Sequence, residues 1–97
     1  MSTPLTLIAI IRAKPGRADV LQAQLAELRV PSRAEAGCIQ YDMHRDRKDP
    51  DLIYMVEQWR DEAALAEHEA SEHFQAFVKA TQADLAELDI RLMNRID

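Results

Sequence analysis

The chain has 97 residues, 47% of them hydrophobic and 30% charged, ordinary proportions for one globular domain and too apolar for wholesale disorder. Twelve Lys and Arg against 17 Asp and Glu leave a formal charge of −5, which argues against a nucleic-acid binder, since that needs a basic stripe. The longest apolar stretch, residues 5–11, falls far short of the ~20 residues of a membrane span and lacks the basic lead-in of a signal peptide, while the lone Cys38 allows no internal disulfide and fits a reducing cytoplasm.

Residues 5–12, Leu-Thr-Leu-Ile-Ala-Ile-Ile-Arg, are β-branched and aliphatic and stop at Lys14-Pro15-Gly16. They predict a strand closed by a turn. From about residue 17 to 29 the apolar side chains move to helical spacing, with Leu21, Leu25 and Leu28 on one face. Pro31 and Ser32 are expected to break or bend that helix, and Gly37 marks a loop. Strands are predicted over 38–46 and 52–59, joined as an antiparallel hairpin by the charged loop Arg47-Lys48-Asp49-Pro50-Asp51. Asp61 then has the chemistry of an N-cap, with Glu62 suited to the first turn. Helical sequence continues to about residue 85, with Ser71 as a second N-cap and Phe74, Phe77, Val78, Thr81 and Leu85 on its inner face. A last strand, 88–96, places Leu88, Ile90, Leu92 and Ile96 in alternation. The order β-α-β-β-α-β is the split βαβ of α+β, ferredoxin-like folds, a four-stranded antiparallel sheet with its helices on one side.

Both alternating sets of the first strand are apolar, Leu5, Leu7, Ala9 and Ile11 on one side and Ile8 and Ile10 on the other. Leu52, Tyr54 and Val56 stand opposite Ile53, Met55 and Trp59 in the same manner. Strands apolar on both faces are normally covered on both. Two helices cover one face, so a second copy of the chain, sheet against sheet, is expected on the other.

Glu57 and Trp59 share a strand face with Met55 and Ile53. A carboxylate in an apolar strand must be paired or hydrogen-bonded; if buried, it gains a raised pKa and can hold a proton. Pairing with Arg91, Arg12 or a dimer mate is the structural alternative. Trp59 is the only tryptophan, a core residue or a flat wall for a planar ligand. His68 and His73 titrate near neutrality, and either can act as general base toward a phenol. Their spacing of five does not align two ligands on a continuous helix face, so no metal is expected. Tyr41 and Tyr54 read first as packing residues, His44 as exposed, and Cys38 as an unreactive thiol. Gly16 and Gly37 are too far apart for a phosphate-binding loop.

The run Ser32-Arg33-Ala34-Glu35-Ala36-Gly37-Cys38-Ile39-Gln40-Tyr41 resembles the helix-to-strand junction of the antibiotic biosynthesis monooxygenase domain family. So does Glu57-Gln58-Trp59-Arg60-Asp61-Glu62-Ala63-Ala64-Leu65, followed by His68 and Ser71-Glu72-His73-Phe74. The resemblance extends over nearly the whole chain and implies a dimeric α+β barrel of ferredoxin-like protomers. It also implies a pocket between sheet and helices where a small quinol or polycyclic phenol reacts with O2 without a cofactor. By the same resemblance Trp59 matches a pocket-wall position and His68 the histidine of the helix that closes the pocket. The expected site is therefore His68 and Glu57 as proton-handling groups, with Trp59, Tyr41, Met55, Phe74 and His73 around the substrate. Haem degradation is not expected, because the first strand has no Asn. An isomerase or lyase acting on a phosphorylated metabolite, with Arg33 or Arg91 as anion partner, is one alternative. A non-catalytic dimer that binds small aromatics is the other.

Overall fold

Two-residue alternation along the first strand decides which way the sheet faces. The computed structural model describes residues 4–97. In it β1 (Leu5–Ala13) is followed by α1 (Ala18–Arg33), β2 (Cys38–Arg45), β3 (Leu52–Trp59), α2 (Glu62–Ala70), α3 (Glu72–Thr81) and β4 (Leu85–Met93). The strands form one sheet in the order β2-β3-β1-β4, antiparallel at every junction. This is the ferredoxin-like arrangement, with its second helix divided in two. On the helix side β1 buries Leu5, Leu7, Ala9 and Ile11, β3 buries Ile53, Met55, Glu57 and Trp59, and α1 adds Leu21, Leu25 and Leu28.

The division of the second helix follows from two caps. The Asp61 carboxylate accepts from the Ala64 backbone N–H at 2.8 Å and starts α2. Ser71 Oγ donates to the His68 carbonyl at 2.6 Å and accepts from the Phe74 N–H at 3.2 Å, so one side chain ends α2 and starts α3.

Three boundaries differ from expectation. The first helix does not break at Pro31 but continues through it to Arg33. Proline forfeits a single N–H bond there, within the last turn, and its fixed φ still suits a helix. The last helix ends at Thr81 rather than near 85, and the final strand runs 85–93 rather than 88–96. Asp84 explains both shifts. Its N–H returns to the Thr81 carbonyl at 3.0 Å, its carbonyl accepts from Lys14 N–H at 2.8 Å, and its carboxylate takes Arg17 Nε at 2.7 Å. Fastened to the β1–α1 turn in this way, the chain enters the sheet at Leu85.

The helices do not cover everything that faces them. Leu88, Ile90 and Leu92 lie in register with Ile11, Ala9 and Leu7, hence on the helix side, yet they remain 51%, 46% and 58% exposed. On the other face Ile8, Ile10, Leu52, Tyr54 and Val56 form a half-buried apolar centre bordered by Arg12, Glu87, Asp89 and Arg91. Among the described residues no helix is long and apolar enough to cross a membrane.

Candidate active site

The end of β3 delivers Trp59 to the middle of the molecule, where it is fully buried. Its indole Nε1 donates to Glu57 Oε1 at 2.9 Å, a bond that two residues on the same strand face can make directly. Tyr41 stands opposite Glu57 in the β2–β3 register and meets Trp59 edge-on at 6.2 Å. After the Asp61 cap, α2 carries Ala64, Leu65 and His68 to its buried side. The His68 imidazole, only 2% exposed, lies over Trp59 at a centroid distance of 4.5 Å. Tyr41 at 5.5 Å and Phe74 at 4.9 Å flank it edge-on. The ring is therefore confined on three sides by aromatic rings.

A fourth partner comes from the α1–β2 loop. Glu35 Oε2 lies 2.7 Å from His68 Nδ1 and 2.9 Å from His73 Nε2. Gly37 makes this reach possible: a Cβ there would collide with Ala64 Cβ on α2, so only glycine lets the loop press against that helix. The Gly37 carbonyl completes the junction by accepting from Arg60 N–H at 2.8 Å. The five-residue spacing of the histidines does not keep them apart, because the chain turns at Ser71. The ligand-type atoms of Glu35, His68 and His73 all lie within 4.8 Å of one another, and here they are engaged with each other.

Beside this cluster a cavity of about 160 Å³ opens between sheet and helices, a size class that admits an aromatic ring. Its lining runs from a closed end of buried Tyr41, Met55, Glu57 and His68 with half-buried Phe74 to a mouth of exposed Val78, Leu88 and Ile90. None of its lining residues is Lys or Arg. Burial pushes the Glu57 carboxyl up to about 7, with Glu69 and Glu35 adding to the rise against the opposing Trp59 hydrogen bond. Burial lowers His68, although Glu35 works in the other direction. Burial and then the Glu57 charge raise the Tyr41 hydroxyl. The site thus holds a carboxyl and an imidazole whose charged forms are both disfavoured by burial, one shifted up and the other down. Cys38 is also raised, first by burial and then by Glu35 and Glu57, which disfavours its thiolate.

Comparison with known proteins agrees with this architecture. The sequence profile described as antibiotic biosynthesis monooxygenase matches residues 4–80. The chain belongs to that family. Among curated relatives of this family member, Bacillus subtilis YcnE, named a "putative monooxygenase", is 36% identical over 87 residues, covering 89% of this chain and 92% of its own. Escherichia coli YgiN, named a probable quinol monooxygenase, is 35% identical over 100 aligned positions, covering 92% and 95%. The crystal structure of PA3566 from Pseudomonas aeruginosa superposes with a TM-score of 0.95 at 54% identity, covering 100% of this chain and 98% of that one. Family and relatives together support a monooxygenase-like function on a small molecule.

Within this monooxygenase-family fold, five of the seven residues expected at the site line the cavity: Tyr41, Met55, Glu57, His68 and Phe74. Trp59 is not at the cavity surface but behind His68, as its support. His73 lies outside the cavity and joins the cluster through its bond to Glu35, with its ring 6.1 Å from that of His68. Glu57 bonds to Trp59, not to an arginine. Of the arginines weighed as anion partners, Arg33 is held by the Tyr41 carbonyl at 2.9 Å and Asp42 at 2.8 Å. Arg91 sits on the opposite sheet face beside Asp89, so neither serves a phosphate in this cavity. The residue that sequence reasoning missed is Glu35. Its signal was faint, an acidic side chain two positions before a glycine that must make a close approach.

Proposed function

We propose that the protein is a cofactor-independent monooxygenase that oxidises a small planar quinol or phenol with O2 in the cavity beside His68. The observation that carries this reading is a nearly buried imidazole fixed among aromatic rings at the closed end of an apolar cavity without cationic side chains. An ionised quinol is itself an electron donor to O2. The protein has to bind the ring, take its proton and keep water from the intermediates. His68 is the base. Glu57, with a pKa near 7, is a second proton carrier that returns a proton to the reduced oxygen. The balance closes without an external reductant: hydroquinone and O2 yield hydroxyquinone and water, the ring supplying all the electrons.

The test is oxygen uptake by the purified protein with hydroquinones and naphthohydroquinones, measured above autoxidation and with superoxide scavengers present. His68→Ala should lower the rate by roughly 10²-fold or more. A rate within a few-fold of wild type rejects the base, and no enhancement across the panel, with ligand-dependent thermal shifts retained, favours a binding protein.

The same reading includes a homodimer joined through the outer sheet face. The apolar centre of Ile8, Ile10 and Val56 lies under no helix among the described residues. Ile8→Arg should halve the mass seen by light scattering; an unchanged mass would place the interface elsewhere.

A further inference from the structure

We propose that Glu35 is the positioning residue of His68: its carboxylate holds the imidazole in the Nδ1–H tautomer, so that the Nε2 lone pair faces the cavity as the base, while His73 anchors the carboxylate from the solvent side. This rests on the reading of His68 as base and gives that base an orientation.

The geometry is specific. A neutral imidazole has one N–H and one lone pair, and the partner of one nitrogen decides which is which. Glu35 Oε2 is an acceptor 2.7 Å from Nδ1, so the ring donates there. Nε2, across the ring, has no partner among the described residues and is not sealed from solvent, and His68 borders the cavity. Rotation of the ring by half a turn would give the carboxylate a carbon in place of Nδ1, and Trp59, Tyr41 and Phe74 confine the ring meanwhile. Other ionisable groups face His68, namely Glu57 and Tyr41 from the sheet, Glu69 from its own helix and His73 from α3. Among these and Glu35, only Glu35 is bonded to a ring nitrogen.

His73 completes the arrangement. A carboxylate on a loop is free to swing unless something holds it, and His73 Nε2 at 2.9 Å, on a side chain 28% exposed, holds the same oxygen from outside. Gly37 holds the loop itself against α2. When a phenol gives its proton to Nε2, the O–H bond breaks, a second N–H forms, and phenolate and imidazolium result. The imidazolium charge is then met by the carboxylate already bonded at Nδ1, which stabilises the charge as it develops.

The experiment is nitrogen NMR of the His68 ring in ligand-free protein, paired with steady-state oxygen uptake. In wild type Nδ1 should carry the proton and Nε2 the lone pair. In Glu35→Ala the ring should move toward the Nε2–H form that free histidine favours, with kcat down about 10-fold or more and KM nearly unchanged. Glu35→Gln, which keeps an acceptor at the same reach, covers the case in which the alanine variant does not fold. It should retain part of the Nδ1–H population and lose only part of kcat. His73→Gln, which can still donate to the carboxylate, should keep the wild-type tautomer. A wild-type ring in the Nε2–H form, or a tautomer indifferent to Glu35, overturns the positioning role even if His68→Ala abolishes turnover. An Nδ1–H ring controlled by Glu35 in a protein whose His68→Ala variant turns over normally would instead sink the base and leave the tautomer control standing.

Discussion

The two ends of one cavity are built on opposite principles. At the closed end Glu57, His68 and Tyr41, with Trp59 behind them, are each no more than 6% exposed and are joined by ring contacts and a buried hydrogen bond. At the mouth Leu88 and Ile90 are about half exposed, and nothing else among the described residues covers them fully. The closed end spends stability to hold polar groups where water is scarce, which is the setting in which electrostatics and proton transfer count most. The mouth asks only for apolar surface, which a planar guest can cover without any fixed geometry. On the proposed function, chemistry belongs to the first region and admission to the second.

The sharpest way to break that contrast is Trp59→Ala. It removes the support behind His68 and leaves a cavity in the core, so thermal or urea unfolding should show a loss of about 3–5 kcal/mol. A loss below about 1 kcal/mol would mean that the closed end is not rigid. Glu57→Gln comes next and acts in the opposite sense. The carboxyl rises from an ordinary 4.5 to about 7 on folding. Its neutral form therefore suits the fold below pH 4.5, and stability is lost as pH climbs through 7. At pH 8 the glutamine variant should be more stable than wild type by up to roughly 3 kcal/mol, with the two converging near pH 4. Denaturant midpoints at the two pH values measure it, and parallel pH profiles would show that Glu57 is solvated. The smallest effect belongs to the mouth. Ile90→Ser should raise KM a few-fold, under about 1 kcal/mol, with kcat unchanged. A fall in kcat instead would carry chemistry to the open end.

Much of this was legible in the residues. Alternation in 5–12 and 52–59, helical spacing in 21–28, and the caps Asp61 and Ser71 suffice for the ferredoxin-like order, because periodicity and capping are local properties. They also place Glu57 and Trp59 on one face. The course of α1 through Pro31 was not legible, since a proline one turn from a helix end costs too little to decide the matter. Nor was the early start of β4, which depends on Asp84 meeting Lys14 and Arg17 from the far end of the chain.

The sequence by itself determined the strands, the helices and the stock of proton-handling side chains. Only the tertiary structure decided which of them act together. Glu35 and His68 are 33 residues apart, and Glu35 and His73 are 38 apart, distances over which no periodicity carries information. They meet because Gly37 lets a loop settle on Ala64 and because Ser71 turns the chain between the two histidines. The same packing set Trp59 behind His68 rather than at the cavity wall. Burial, a property of the whole fold, then raised the Glu57 carboxyl and lowered the His68 imidazole, disfavouring the charged form of each.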